Sequence, residues 1–225
     1  MNEQAPIYLR QIEVGPMANF VYLIGDTDTR ECVLVDPAWE VDRIVDLAEN
    51  DGYTVTGGLV THWHPDHTNQ VERLLERVKG RLYVHADEEE ILSKLVGRSE
   101  VQKTVGGDVL EVGSVKVRFV HTPGHTPGSQ CFLVQVPGDE AALVSGDTLF
   151  IGACGRTDFP KGSPEDMYRS LDRLKALPDN TVLLPGHNYA DRPISTLKDE
   201  KATNPMLRFP SMEDFVLSHV ARRRT

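Results

Sequence analysis

Three histidines and an aspartate lie within residues 62–67, which read His-Trp-His-Pro-Asp-His. Imidazole and carboxylate together suit divalent cations such as zinc, iron or manganese, whereas a structural zinc site relies on thiolates and fills all four coordination positions. The segment therefore predicts a metal site that carries out chemistry. The alternative, a polar loop whose histidines face solvent, is less favoured because so many ligand residue types are concentrated here.

Two predicted elements flank this segment. Residues 57–60 predict a short buried strand, and residues 69–78 predict a helix with its apolar side chains on one face. Pro65 favours a turn between them. We therefore expect a strand-to-helix loop that directs its side chains at one point, unlike the H-E-x-x-H helix of a zinc protease.

Further metal ligands must come from other parts of the chain, and polar residues at strand ends are the candidates. His125, Asp147 and His187 each follow a glycine that comes after a predicted strand. Glycine permits close approach of the backbone at such positions. His121 competes with His125, but as the last strand residue it is better interpreted as a structural histidine or an outer partner of a ligand.

Length and charge limit the classes of protein to which the chain can belong. The chain has 225 residues, 40% of them hydrophobic and 26% charged, which indicates one globular domain over residues 1–225 with a short helical segment at about 195–225. A formal net charge of −10 disfavours binding to nucleic acid. The single basic run, residues 222–224, is more typical of a solvated helix end than of a binding patch.

The number of cysteines and the hydropathy of the chain indicate the cellular compartment to expect. Cys32, Cys131 and Cys154 are odd in number and lack metal-binding spacing, so we expect no disulfide framework and a reducing environment. The first residues do not resemble a secretory signal, and no apolar run approaches the ~20 residues that span a bilayer. A cytoplasmic protein without a membrane partner is the expectation.

The order of predicted elements indicates two β-rich halves. Strands over residues 7–14, 20–24 and 32–35 are separated by turn residues, which favours an antiparallel meander. The second half alternates apolar and polar residues over 115–119 and has a capped helix start at Ser163. Two sheets with helices outside would accommodate this order.

Five segments together resemble the metallo-β-lactamase superfamily, in particular its glyoxalase II and persulfide dioxygenase branches: residues 61–67, 122–128, 145–150, 155–159 and 185–189. The resemblance implies an α/β fold, a four-layer αββα sandwich. It also implies two divalent metals, expected to be Zn²⁺ with iron or manganese as alternatives. The implied ligands are His62, His64 and His125 for the first metal, Asp66, His67 and His187 for the second, and Asp147 between them. Asp36 would orient a ligand histidine.

Hydrolysis is the reaction that the resemblance favours. Two metals that share a hydroxide supply a nucleophile at neutral pH, and Asp66 would orient that nucleophile. A thioester suits such a site because its thiolate leaves without a dedicated general acid. By resemblance to glyoxalase II, a glutathione thioester would be the substrate, with Arg156 and Tyr189 as its contacts; an ion pair of Arg156 with Asp158 and simple packing of Tyr189 are the structural alternatives.

Other functions remain open at this stage. A persulfide dioxygenase would need one Fe²⁺ held by His62, His125 and Asp147, a two-histidine, one-carboxylate set with open positions. A zinc hydrolase of acyl-carrier thioesters from polyketide pathways is a further alternative. A metal-binding module without activity is disfavoured because every ligand is present. The substrate is expected to be a small thiol-derived molecule, and a homodimer is compatible with the sequence.

Overall fold

A six-stranded sheet forms the first half of the fold in the computed structural model, which describes residues 7–135 and 141–222. Its strands lie in chain order: β1 (Ile7–Val14), β2 (Asn19–Asp26), β3 (Glu31–Val35), β4 (Thr54–Leu59), β5 (Arg81–His85) and β6 (Val101–Thr104). Strands β1 to β3 form the predicted antiparallel meander. From β3 to β6 the pairing is parallel, because helices cross over between consecutive strands.

A second six-stranded sheet follows in the order β14-β13-β10-β9-β8-β7. Its strands are β7 (Val109–Val112), β8 (Val115–His121), β9 (Gln130–Gln135), β10 (Ala142–Gly146), β13 (Val182–Pro185) and β14 (Ser195–Thr196). A separate small hairpin contains β11 (Leu149–Phe150) and β12 (Ala153–Cys154). This hairpin follows β10 directly and therefore lies beside one end of the second sheet.

Seven α-helices surround the two sheets in the described part of the chain: α1 (Val41–Asn50), α2 (Pro65–Thr68), α3 (Val71–Arg77), α4 (Glu89–Val96), α5 (Pro164–Lys175), α6 (Leu197–Thr203) and α7 (Met212–Arg222). Helix α5 begins as predicted, with the Ser163 side chain accepting a hydrogen bond from the Asp166 amide. Such a cap contributes ~1 kcal/mol to helix stability.

Alternation along the strands builds the layers. In β2, Phe20, Tyr22 and Ile24 face the second sheet, whereas Val21 and Leu23 pack beneath α1. The outer face of the second sheet is covered in turn by α5, α6 and α7. Burial of each large apolar side chain contributes ~1.5–3 kcal/mol, so the core between the sheets and the two outer layers stabilise one another. The predicted αββα sandwich is confirmed.

Two details differ from the expectations. The helix predicted over residues 69–78 is shorter, and a separate turn of helix, α2, precedes it because Pro65 starts a helix readily at its first position. Within residues 97–107, a polar segment in which the sequence predicts no element, the structure has an edge strand, β6. Val136, the last residue of a strand predicted over residues 130–136, and residues 223–224 of the basic run lie outside the described residues. Among residues 7–135 and 141–222, no helix is both long and apolar enough to cross a bilayer.

Candidate metal centre

The loops that follow four strands meet at one end of the sandwich. Backbone hydrogen bonds join the two sheets there: the Phe20 amide donates to the Gly186 carbonyl at 2.8 Å, and the Gln130 amide donates to the Thr61 carbonyl at 2.9 Å. The seven ligands predicted from the sequence converge at this junction, in three overlapping groups: His62, His64, Asp66, His67, His125, Asp147 and His187.

The first group consists of three imidazoles. Nδ1 of His64 lies 3.0 Å from Nε2 of His62 and 2.9 Å from Nε2 of His125. Nitrogen ligands at ~2.0–2.1 Å from one cation are separated by about 3 Å when their coordination directions are perpendicular. The spacing therefore suits one divalent cation.

The second group combines a carboxylate with two imidazoles. Nε2 of His67 lies 3.2 Å from Nε2 of His187, and each of these nitrogens lies 3.4 Å from Oδ2 of Asp66. Asp66 and His67 belong to the helical turn α2, not to an irregular loop as the sequence suggested. The turn places the two neighbouring side chains on the same side of the centre.

Asp147 lies between the two groups. Its Oδ1 is 3.4 Å from Nε2 of both His67 and His187, and its Oδ2 is 3.5 Å from Nε2 of His125. The buried Oδ1 accepts no hydrogen bond from any residue that the structure describes. Buried carboxylate oxygens without a donor are costly unless a cation compensates them. Asp147 is therefore positioned to contact a cation in either group.

Outer partners fix the orientation of the rings. Nδ1 of His125 donates to the Arg156 carbonyl at 2.7 Å, and Nδ1 of His187 donates to the Met17 carbonyl at 2.9 Å. Because a carbonyl oxygen only accepts, Nδ1 carries the proton in both rings and the Nε2 lone pair faces the centre.

Asp36 holds the ring of His67 in the same way. Its Oδ2 lies 2.9 Å from Nδ1 of His67, while its Oδ1 and Oδ2 also accept hydrogen bonds at 2.7 Å from the amide and hydroxyl of Thr61. Asp36 thus joins the strand end at β3 to the segment that carries four predicted ligands, as expected for a residue that orients a ligand histidine.

The side chains of the centre are electrostatically coupled. Burial lowers the pKa of His62 well below its usual value. Burial also opposes a charge on His67, but the carboxylates of Asp147 and Asp36 raise its pKa well above the usual range. Burial likewise opposes a charge on His187, but the carboxylates of Asp147 and Asp66 raise its pKa to about 9. The imidazoles in turn hold the pKa of Asp147 well below normal despite burial. The buried carboxylate thus requires positive charge beside it, from protons or from a cation.

Two glycines leave the space that this arrangement needs. A Cβ at Gly186 would lie 2.6 Å from Oδ1 of Asp147, and a Cβ at Gly155 would lie 1.8 Å from the Asp147 carbonyl oxygen. Any other residue at these positions would displace Asp147. The donor set, its spacing and this cradle all fit a divalent metal.

A cavity of about 320 Å³, the site pocket, opens over the centre. Arg156 and Tyr189, the predicted substrate contacts, both lie on its wall. Arg156 forms a two-pronged ion pair with Asp158 at 2.9 and 2.8 Å and is 68% exposed. Tyr189 is 61% exposed and stacks on the ring of His187. Both the predicted location and the structural alternatives are therefore observed, and a role in substrate binding stays a prediction.

The remaining histidines lie outside the centre. His121 stacks on His85, with ring centroids 3.9 Å apart, and its Nε2 donates to the Pro127 carbonyl within the turn that carries His125. This supports the structural interpretation of His121. His219 lies in α7, and Nδ1 donates to the Phe215 carbonyl at 2.8 Å.

Sequence reasoning missed residues that complete the centre. The Asn19 amide donates to Oδ2 of Asp66 at 3.0 Å, and its Oδ1 accepts from the Trp39 indole at 3.1 Å. A polar residue at the start of a fully buried strand was the available signal. Phe159 and Cys154 also line the site pocket.

The sequence profile of the metallo-beta-lactamase superfamily matches residues 14–187 of the chain. The chain belongs to the metallo-beta-lactamase superfamily. It is a metal-dependent enzyme of this superfamily. Its relatives include both a persulfide dioxygenase and a hydroxyacylglutathione hydrolase, which represent the two branches that its sequence resembles.

Individual superfamily members are similar over most of their length. The chain is 33% identical to the mitochondrial persulfide dioxygenase ETHE1 of Bos taurus, over 94% of this chain and 80% of that protein. It is 37% identical to a hydroxyacylglutathione hydrolase of Pseudomonas putida, over 83% of this chain and 67% of that protein. The crystal structure of ETHE1 from Myxococcus xanthus superposes with a TM-score of 0.84 at 33% identity, covering 95% of this chain and 90% of that one.

Proposed function

We propose that the chain is a persulfide dioxygenase, which oxidises the outer sulfur of a low-molecular-weight persulfide with dioxygen. The observation that carries the proposal is the similarity to the bovine persulfide dioxygenase, because it extends over 94% of this chain and 80% of that protein. The similarity to the bacterial hydrolase covers a smaller share of each protein. The order of preference is therefore the reverse of the expectation from sequence motifs.

His62, His125 and Asp147 are the residues that would hold one Fe²⁺ in this reaction. They offer two imidazoles and a carboxylate, the set typical of non-haem iron oxygenases with open positions. The iron would supply the redox chemistry toward dioxygen. The chain itself fixes the rings through outer hydrogen bonds such as that from His125 to the Arg156 carbonyl.

The site pocket suits a small thiol-derived substrate. Its volume of about 320 Å³ is at the lower end of the range for small-molecule sites. Phe159 forms an apolar part of the pocket wall, and the Arg156 guanidinium lies 4.6 Å from the centre of the Phe159 ring. We propose that Arg156 and Tyr189 contact the body of the substrate, for which glutathione persulfide is the probe.

Oxygen uptake by iron-loaded protein tests the proposal. We expect glutathione persulfide to drive stoichiometric oxygen consumption, and His62→Ala and His125→Ala to abolish it because each removes a ligand. His85→Ala, which removes a buried histidine outside the centre, is the matched control and should retain uptake. Absence of uptake in iron-loaded wild-type protein would refute the proposal.

Thioester hydrolysis is the second candidate, favoured by the complete second group of Asp66, His67 and His187. A hydrolase that uses two metals needs this group, whereas a single iron does not. We therefore expect His67→Ala and His187→Ala to abolish anaerobic cleavage of S-lactoylglutathione if the chain is a hydrolase. Such cleavage, without persulfide-driven oxygen uptake, would replace the first proposal with the second.

A further inference from the structure

Cys154 lies on the wall of the site pocket and is half-buried. It ends the short hairpin of β11 and β12, in which it pairs with Leu149. The buried side chain of Asn204 fixes this hairpin by donating to the carbonyls of Phe150 and Ala153, both at 3.1 Å. The thiol therefore has a defined position beside the metal centre.

An imidazole faces this thiol. Nε2 of His219 lies 3.8 Å from Sγ of Cys154, within hydrogen-bond distance for sulfur. Nδ1 of the same ring donates to the Phe215 carbonyl at 2.8 Å, so Nε2 carries the lone pair. A thiol, a base within reach and an acceptor that orients the base are the three parts of an activated cysteine nucleophile.

The other two cysteines provide an internal contrast. Cys32 and Cys131 are fully buried, and burial raises the pKa of their thiols to about 12 and about 11, respectively. Buried apolar surroundings make such thiols inert. Chemical reactivity of the chain toward soft electrophiles should therefore concentrate at Cys154.

We propose that Cys154 and His219 form a thiol–imidazole pair and that the Cys154 thiolate takes the outer sulfur from a persulfide in the site pocket. His219 accepts the thiol proton. The thiolate forms a bond to the outer sulfur, the sulfur–sulfur bond of the persulfide breaks, and the departing thiolate takes the proton from His219. The products are a Cys154 persulfide and a free thiol, and no oxidant or reductant is consumed.

The choice of sulfur donor rests on the proposed function, whereas activation of the thiol does not. Alkylation of the metal-loaded protein with iodoacetamide tests activation alone. We expect Cys154 to react ~10-fold or more faster than free glutathione, with Cys32 and Cys131 unlabelled. His219→Asn keeps an N–H that can donate to the Phe215 carbonyl but removes the basic Nε2 nitrogen, and should slow the reaction ~10-fold.

The unfolding midpoint of each variant shows whether it folds, and His219→Gln is a second variant should His219→Asn fail to do so. Reaction at Cys154 no faster than with glutathione, or equal rates in wild type and a folded His219 variant, would overturn the pair as an activated nucleophile.

Mass spectrometry of peptides tests the transfer step. Metal-loaded protein treated with glutathione persulfide under nitrogen should gain one sulfur atom on the Cys154 peptide, and dithiothreitol should remove it. Cys154→Ser should gain none. No gain in wild-type protein would refute sulfur transfer.

The two proposals fail separately, because the proposed function is measured by oxygen uptake and the transfer by mass under nitrogen. A Cys154 peptide that gains sulfur in a protein without oxygen uptake would support the pair and exclude the dioxygenase.

Discussion

His67, His125 and His187 each have a hydrogen-bond partner outside the centre, and Asp36, the partner of His67, also accepts from Thr61. One carboxylate holds the His67 ring and both the amide and hydroxyl of Thr61. An outer partner of this kind typically changes metal affinity or activity ~10–100-fold when removed. Removal of the Asp36 carboxylate should therefore weaken metal binding more than it destabilises the fold.

Asp36→Asn tests this expectation. The amide has one acceptor where the carboxylate has two, so His67 or Thr61 loses its partner. We expect metal affinity to fall ~10–100-fold in a competition titration with a chromophoric chelator.

Asp26→Asn is the matched control, since Asp26 is equally buried and accepts hydrogen bonds from the amides of Asp28, Thr29 and Ser114, at a turn that contains no predicted ligand. It should lower the free energy of unfolding by ~1–3 kcal/mol without altering metal affinity. Equal metal affinity in Asp36→Asn and wild type would contradict the role of Asp36.

Glu88 is a buried carboxyl beside the turn that carries His125. It accepts hydrogen bonds from the Thr126 hydroxyl and the Gly128 amide, and burial raises its pKa to about 7. Because this folded-state pKa exceeds the unfolded value of ~4.3, its contribution to stability is fully present below pH ~4.3 and is lost as pH rises through about 7.

Glu88→Gln should therefore remove part of the pH dependence of folding. From about pH 5 to about pH 8 we expect the variant to gain about 2 kcal/mol in free energy of unfolding relative to wild type. Urea denaturation at both pH values measures the change. Glu90→Gln, at an exposed glutamate in the first turn of the adjoining α4, is the control, and a similar gain there would exclude Glu88 as the source.

At the residue scale, motif spacing predicted all seven residues that converge at the centre, because strand ends bring polar residues together by topology. It did not predict Asn19, whose contact with Asp66 joins residues 47 apart in the chain. Arg156 is a different case. Its ion pair with Asp158, only two residues away, was anticipated from the sequence, but observing that pair does not show whether Arg156 also binds substrate.

At the scale of elements, the hairpin of β11 and β12 is packed directly against the centre. A Cβ at Gly155 would lie 1.8 Å from the Asp147 carbonyl oxygen and 3.3 Å from Nδ1 of His125. The Asp147 carbonyl could move away only if the end of β10 moved with it. The close approach therefore requires a glycine at residue 155.

Gly155→Ala should therefore shift two predicted ligands at once. We expect at least ~10-fold weaker metal binding in the same competition titration. The nearby Gly152→Ala is the control: its Cβ would meet no atom within 4 Å, although its φ of +71° favours glycine. It should cost ~1 kcal/mol of stability and leave metal affinity unchanged. Wild-type affinity in Gly155→Ala would show that the hairpin can move freely.

The capping serine predicted the start of α5 well, because a helix start is encoded by the residues immediately around it. The parallel pairing of β3 to β6 was not predicted, since pairing partners are set by contacts between distant segments. Helix α2 was missed because four residues are too few to show a period.

At the scale of the whole molecule, a bound cation should stabilise the fold. A cation present at a thousand times its dissociation constant adds ~4 kcal/mol, which for a chain of this size corresponds to ~8–16 °C in unfolding temperature. Scanning calorimetry of metal-loaded and chelator-treated protein measures this difference. His85→Ala should show the same difference as wild type, and His62→Ala a smaller one. Equal unfolding temperatures with and without metal in wild type would contradict a tightly bound ion.

The proposed ligands are divided between the two sheets. The segment after β4 supplies four of them, whereas His125, Asp147 and His187 follow strands of the second sheet. A nascent chain whose first sheet has left the ribosome therefore holds only four of the seven, and the set is complete only after residue 187 has been made. A chain whose synthesis stops before residue 187 lacks part of the set and should bind the ion more weakly than the folded protein does.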